Sequence, residues 1–247
     1  MPWRETSDPY RILVSEIMLQ QTQVERVLTK YQVFVDSFRD FHELAKAEFK
    51  EVLSAWQGLG YNKRALMLKR VAETVVLKYG STLPRSREEL LGLPGIGKAT
   101  AGAILAFAYN IPTVFIETNI RRVFLHHFLH DDERVKDSEI VPLVDQTLDR
   151  EKPRTWYYAL MDYGAILGKS VANPNRRSAH YRKQGSFANS DRKLRGEILR
   201  ILLQKKTLSE DEAVASTGGD SCRATRILSQ MVKEGLVREE SGSYRIP

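Results

Sequence analysis

At 247 residues, with 42% hydrophobic and 28% charged side chains, the chain has an ordinary globular composition and is long enough for one or two domains. Its single cysteine, Cys222, excludes a disulfide framework and a cysteine-built metal site, and no apolar run approaches the roughly 20 residues that span a bilayer. The formal charge of +7 favours a polyanionic partner over a membrane, and the opening MPWRETSDPY, without a signal-peptide core, points to a cytoplasmic or otherwise intracellular, reducing setting.

Asp8-Pro9 opens a helical segment expected to run through Lys30, with Ile12, Ile17, Leu19, Val24, Val27 and Leu28 at roughly helical spacing. Further helices are predicted over Phe38 to Lys46, Phe49 to Trp56 and Lys63 to Tyr79. Ser86 and Glu89 then stand at capping-box spacing ahead of Leu90 and Leu91. Leu93-Pro94-Gly95-Ile96-Gly97-Lys98 follows, and an Ala- and Leu-rich helix former continues to Tyr109. A Pro and two Gly between helices make a tight hairpin whose N–H groups sit at a helix N-terminus, an anion site to which Lys98 adds charge. This is a helix-hairpin-helix pattern, which serves either to grip a DNA phosphate or as a plain connecting turn.

Strand-like alternation is scarce before the last sixty residues, so an all-α body of roughly 185 residues is predicted. Between Lys169 and Lys206 eleven Lys or Arg face two acids, Asp191 and Glu197. The middle, Gly185 to Ser190, reads as a linker, and the flanks have the charge to track phosphates. Beyond it come an amphipathic helix through Leu194, Ile198, Ile201 and Leu202, a short helix from Ser209 to Ser216, a Gly218-Gly219 turn and a helix from Ser221 to Glu234. Alternation from Leu236 to Ile246 around Gly242 adds a two-stranded wing. The whole is a winged-helix arrangement, a module that binds either DNA or protein; in the first case Arg223, Arg226 and Lys233 would enter the major groove. The expected organisation is a helical domain with the hairpin at 1–111, a second helical domain at 112–188 and the winged helix at 189–247.

Two acids stand out. Glu16 lies in Ser15-Glu16-Ile17-Met18-Leu19-Gln20-Gln21-Thr22-Gln23, where a carboxyl on an apolar helix face would hold its proton near neutral pH. The neighbouring Gln20, Gln21 and Gln23 carry donors and acceptors suited to base edges. Glu117 emerges from the apolar run Pro112 to Ile116 and precedes Thr118-Asn119-Ile120-Arg121-Arg122-Val123. In one cleft, two such carboxyls could divide the work, one protonating a leaving group and the other stabilising an oxocarbenium-like centre. The plainer alternative for each is a surface or ion-paired acid.

Together, Pro2-Trp3-Arg4, Asp8-Pro9-Tyr10, SEIMLQQTQ at 15–23, Gly58-Leu59-Gly60-Tyr61, LPGIGKATAGAI at 93–104 and Glu117 to Val123 resemble the helix-hairpin-helix DNA glycosylase superfamily over residues 2 to 168. Within it, the likeness is to the MutY branch, adenine glycosylases acting on A opposite 8-oxoguanine or G. The resemblance implies a two-lobed all-α fold with a base pocket between the lobes, a flipped nucleotide and a monomer acting on double-stranded DNA that holds a mispaired or damaged base. It makes Glu16 the acid that protonates the departing base, puts Glu117 where the family has an Asp, and makes Asn119 an oriented polar neighbour. Gln21 matches the side chain that intrudes into the base stack, Thr22 and Tyr61 match residues near the opposite base, and Trp3 and Arg4 match the pocket edge. Gly95, Gly97 and Lys98 match the phosphate-gripping hairpin, where the family often holds a monovalent cation.

The departures carry equal information. Ala99 stands where bifunctional relatives have a Schiff-base lysine, and Lys98 is about 100° away around a helix, so no lyase step is expected. Many members hold an iron–sulfur cluster through four cysteines after a Gly-Ala pair like Gly164-Ala165; here those positions are Gly168, Asn175, Ser178 and Gln184, so no cluster is expected. Glu117 is one methylene longer than the family Asp. The winged helix stands in place of the family's C-terminal domain that checks for 8-oxoguanine. A branch that removes thymine or uracil opposite G, and a non-catalytic DNA-binding protein built on the same body, remain as alternatives.

Overall fold

The structure is a computed structural model that describes residues 1–183, 185, 187, 190–216 and 218–247. Helices dominate. The N-terminal segment begins with a 3-10 turn at Pro2–Arg4, followed by α1 (Pro9–Leu19), α2 (Val24–Ser37), α3 (Phe41–Lys46), α4 (Phe49–Trp56) and α5 (Lys63–Tyr79). Next come α6 (Arg87–Leu91), α7 (Lys98–Tyr109), α8 (Thr118–His127), α9 (Asp137–Thr147) and α10 (Pro153–Ser170). After a 3-10 turn at Pro174–Arg177 the chain forms α11 (Asp191–Lys205), β1 (Leu208–Ser209), α12 (Glu210–Ser216), α13 (Ser221–Glu234), β2 (Arg238–Glu240) and β3 (Ser243–Arg245).

Apart from the first two residues, the chain divides into a unit of residues 3–16 and 84–184 and a unit of residues 17–83 and 185–247. This grouping differs from the division expected at 111 and 188. In the first unit α10 packs on both α7 and α8, which ties segments on either side of residue 111 together. In the second, Gly235 after α13 lies against Arg70 of α5, which groups the C-terminal elements with the early helices.

The core of the first unit is built on α7, buried from Ala101 to Ala108. Phe107 meets Phe115 and Tyr157 edge-on and stacks on Tyr158 at 4.5 Å. Gly102 is required by this packing: a Cβ there would lie 2.6 Å from the Phe115 side chain. Ser86 caps α6 as its spacing predicts, accepting the Glu89 N–H at 3.2 Å.

The segment predicted as one helix through Lys30 is two. It breaks at Gln20–Gln23, where Gln21 adopts a left-handed φ of 53°, because the Arg64 guanidinium takes up the carbonyls that a continuing helix would use. It donates to Ile17 O at 2.9 Å and Met18 O at 2.8 Å, and also to Gln20 O. The helix predicted from Phe38 starts three residues later, because α2 runs on to Ser37 and Asp40 then caps α3 through the Glu43 N–H at 2.8 Å.

In the second unit, α3, α4 and α5 pack together, with Trp56 and Phe34 fully buried. The C-terminal segment carries a third strand that the pattern did not show. Two-residue β1 pairs antiparallel with β3, which pairs antiparallel with β2 in the order β1-β3-β2. Two residues are too few for alternation to register.

Candidate active site

Glu16 occupies the third turn of α1, next to the fully buried Ser15 and Val14. The residue keeps a window to solvent while its carboxyl is enclosed by protein. Desolvation, reinforced by the negative charge of Glu117, pushes the Glu16 pKa up to about 8, against the opposing pull of Arg4. Glu16 therefore holds its proton at neutral pH.

Glu117 is the N-cap of α8. Its Oε1 accepts the N–H groups of Asn119 at 2.7 Å and Ile120 at 2.9 Å. A helix N-terminus favours a negative side chain there. Burial raises the Glu117 pKa, while these two N–H bonds and the charges of Arg121 and Arg122 draw it back. Both bonds go to Oε1, and Oε2 has no hydrogen-bond partner among the described residues.

The rest of the first unit fixes these acids in place. Arg122 donates to Asn119 Oδ1 at 2.9 Å and to Gly164 O at 2.6 Å. Gly164 and Gly168, one turn apart on α10, make the groove for this contact. A Cβ on Gly164 would fall 2.8 Å from the Asn119 backbone carbon, and one on Gly168 would strike the Arg122 guanidinium. Arg4 makes a bidentate pair with Asp162 at 2.6 and 2.8 Å and covers the Tyr158 ring at 4.6 Å, while Trp3 beside it is 3% exposed.

The hairpin follows α6. Gly95 has a φ of 76°, the left-handed region that favours glycine. Gly97 is different: its φ of −96° is open to any residue, and a Cβ there would meet nothing within 4 Å. As the N-cap of α7 it offers no side chain to occupy the first-turn N–H groups, and Lys98 lies exposed beside it.

Residues 14–141 match the family described as "HhH-GPD superfamily base excision DNA repair protein". The chain belongs to the HhH-GPD superfamily. It is 34% identical over 171 residues to the adenine DNA glycosylase of Buchnera aphidicola subsp. Baizongia pistaciae, covering 68% of this chain and 48% of the relative, so the chain spans about half that protein's length. It is 31% identical over 259 residues to the adenine DNA glycosylase of Mycolicibacterium smegmatis, covering 97% of this chain and 88% of the other. Among solved structures, a thermostable thymine-DNA glycosylase superposes with a TM-score of 0.60 at 30% identity, covering 67% of this chain and 78% of that one.

In this HhH-GPD chain, the positions expected to lack cluster cysteines have other work. Gly168 makes room for Arg122. Asn175, 6% exposed, donates to Thr118 O at 3.0 Å, and Ser178, 7% exposed, accepts the His180 N–H at 3.1 Å. The strand-like contact between Val135 and Ser178 closes the loop through Val135 N to Arg177 O at 2.9 Å and Ala179 N to Val135 O at 2.8 Å. Gln184 lies outside the described residues. Among those residues, no cluster of three His, Cys, Asp or Glu could hold a metal, and no helix is long and apolar enough to cross a membrane.

The structure thus gathers Glu16, Glu117, Asn119, Trp3, Arg4, Gly95, Gly97 and Lys98 in the first unit and holds Gln21, Thr22, Tyr61, Arg223 and Arg226 in the second. Arg223 and Arg226 are not open cations: they bind Asp191 at 2.9 and 2.8 Å, and their hydrogen bonds hold its pKa below the usual carboxylate value. Sequence reasoning missed Arg64, Arg122 and Asp162. Arg64 follows Gly58-Leu59-Gly60-Tyr61 closely enough to have been noticed, but no local pattern announces a partner 42 residues away.

The buried acid has a measurable cost. Both folded and unfolded chains hold the Glu16 proton below about pH 4.5; between there and about pH 8 the unfolded chain loses it and the folded chain keeps it, so stability falls as pH rises through that window. Glu16→Gln is expected to melt higher than the parent at pH 8, and the difference should shrink towards pH 4.5. Thermal unfolding across pH measures it, and a gap independent of pH contradicts the buried carboxyl.

Proposed function

We propose that this chain is a monofunctional glycosylase that excises adenine opposite 8-oxoguanine or guanine from double-stranded DNA. The observation that carries the reading is the pair of acids in one unit, Glu16 on the buried side of α1 and Glu117 capping α8, with burial and the charge of Glu117 raising the Glu16 pKa to about 8. Glu16 gives its proton to the flipped base as the bond between C1′ and the base nitrogen breaks, and the bonding pair leaves with the base. Ionised Glu117, through Oε2, faces the positive charge left on the sugar, and Asn119, locked by Arg122, borders it. Water then adds at C1′ and gives up a proton, leaving an abasic site. Ala99 offers no amine for a Schiff base, so the strand stays intact. The adenine DNA glycosylase relative aligned over 97% of the chain supports adenine as the base. The 30% identity to a thymine-DNA glycosylase keeps thymine or uracil opposite guanine as the second reading.

The hairpin at Gly95 and Gly97, with Lys98, grips a backbone phosphate, with room for a monovalent cation. Gln21, Thr22 and Tyr61 form the surface that meets the base stack, Trp3 and Arg4 border the pocket, and the chain works as a monomer. The C-terminal helix-strand-helix-helix-strand-strand order supports a winged helix, with Arg223 and Arg226 reaching DNA in competition with Asp191. The donor set at Gly168, Asn175 and Ser178 has no thiolate and does not fit an iron–sulfur cluster.

Three outcomes follow from this reading. In single-turnover assays on A:8-oxoguanine, A:G, T:G and U:G duplexes, adenine is released and cleavage appears only after alkali. Glu16→Gln loses ~100-fold or more with duplex binding intact, Glu117→Asp keeps or raises the rate, and the rate declines above about pH 8 as Glu16 ionises. Equal excision rates for Glu16→Gln and the parent would overturn Glu16 as the acid, and no excision by the parent on any of the four duplexes would leave a DNA-binding protein without catalysis. Gly97→Asp, which strains no backbone, weakens binding to all duplexes alike without lowering the melting temperature, and parent affinity falls steeply with salt. The purified protein is colourless and free of stoichiometric iron by metal analysis.

A further inference from the structure

Two non-glycine residues of the second unit, Gln21 at φ 53° and Tyr61 at φ 48°, sit in the left-handed region, where a bulky side chain is strained. Strain of this kind persists where surrounding structure over-determines it, and it clusters at functional surfaces. One side chain holds both segments. Arg64 fixes the carbonyls ahead of Gln21, donates to Thr22 Oγ1 at 2.9 Å and reaches Leu59 O and Gly60 O at 3.3 and 3.0 Å. The Gln21 turn and the Tyr61 loop are therefore one platform.

The C-terminal segment adds a third part to this platform. Arg192, in the first turn of α11, donates from Nη1 to Tyr61 Oη at 2.7 Å and from Nη2 to Gly185 O at 3.0 Å. The neighbouring Asp191 holds Arg223 and Arg226, and Arg195 pairs with Glu234, so α11 is braced on α13 and the first turn that carries Arg192 is fixed. A guanidinium has five N–H donors. Two are spent on Tyr61 and Gly185 among the described residues, which leaves three N–H groups for a further pair of acceptors.

We propose that Arg192, delivered by the C-terminal segment onto the Tyr61 hydroxyl, is a specificity-determining residue that recognises guanine, rather than 8-oxoguanine with its N7–H, opposite the excised base. Guanine presents O6 and N7 as two acceptors on one edge, the pattern that an arginine fork pairs with and that cytosine lacks. The inference rests on the glycosylase reading for the identity of the opposite base, but its contacts involve neither of the two acids.

The test compares the full chain with Arg192→Ala and Arg192→Lys on duplexes carrying a stable abasic-site analogue opposite guanine or opposite cytosine. Arg192→Ala is expected to lose about tenfold in preference for guanine while binding opposite cytosine stays near the parent value. Lysine, a point charge without the fork, should not restore it. Single-turnover excision of adenine opposite guanine and opposite cytosine should shift in the same ratio. Equal weakening on both duplexes with a shallower salt dependence would make Arg192 a phosphate contact and overturn the proposal. Unchanged preference would reduce the Tyr61 contact to packing and overturn it as well. Because binding to the analogue needs no chemistry, a chain that excises nothing would sink the glycosylase reading while the guanine preference still decides the role of Arg192.

Discussion

A carboxyl group enclosed by protein is tolerable only while it keeps its proton, and the candidate site depends on that condition at Glu16. Burial supplies most of the effect and the charge on Glu117 adds to it. Burial raises the Glu117 pKa as well, but Glu117 has what Glu16 lacks to oppose it: two backbone N–H groups at the start of α8 and the nearby charges of Arg121 and Arg122. One acid is held ready to give a proton and the other is given reasons to stay charged. That separation is what breaking a glycosidic bond needs from two carboxyls.

Holding the second acid at this spot is the task of the α8–α10 contact. Gly164 lets the start of α8 approach α10 closely enough for Arg122 to bond both Asn119 and the Gly164 carbonyl, and Gly168 clears space for the guanidinium. From the other side, Asn175 holds Thr118, the residue after Glu117. The loop around Asn175 thus braces α8 with hydrogen bonds from Asn175 to Thr118 O and from Arg177 to Leu125 O. Each is worth about 1 kcal/mol net, so the brace depends on their number.

The second unit solves a related problem with one cation. Arg64 ends α1, orients Thr22 and ties down Leu59 and Gly60. A single guanidinium spread over several carbonyls leaves little freedom to the Gln21 turn or the Tyr61 loop, and both stay in backbone conformations they would not choose alone. The ion pairs between α11 and α13 act in the same way, setting the direction in which the C-terminal segment presents its arginines.

Much of this was readable in the chain itself. Helical spacing, the Ser86 cap, the Gly95 turn and the two acids emerging from apolar runs are local patterns, because caps and periodicity are written within a few residues. So was the absence of cysteine at the cluster positions, which is a matter of composition. The break at Gln21, the grooves at Gly164 and Gly168 and the contact of Arg192 with Tyr61 were not. Each depends on a partner tens of residues away, and an arginine in sequence gives no sign of which carbonyl or hydroxyl it will reach. The sequence by itself determined that a helical body would carry a Pro-Gly hairpin ahead of a helix and two acids set among apolar residues. Only the tertiary structure decided that burial keeps the proton on Glu16 and that Arg122 and Gly164 lock the start of α8, because desolvation and contacts between distant segments exist only once the chain is packed.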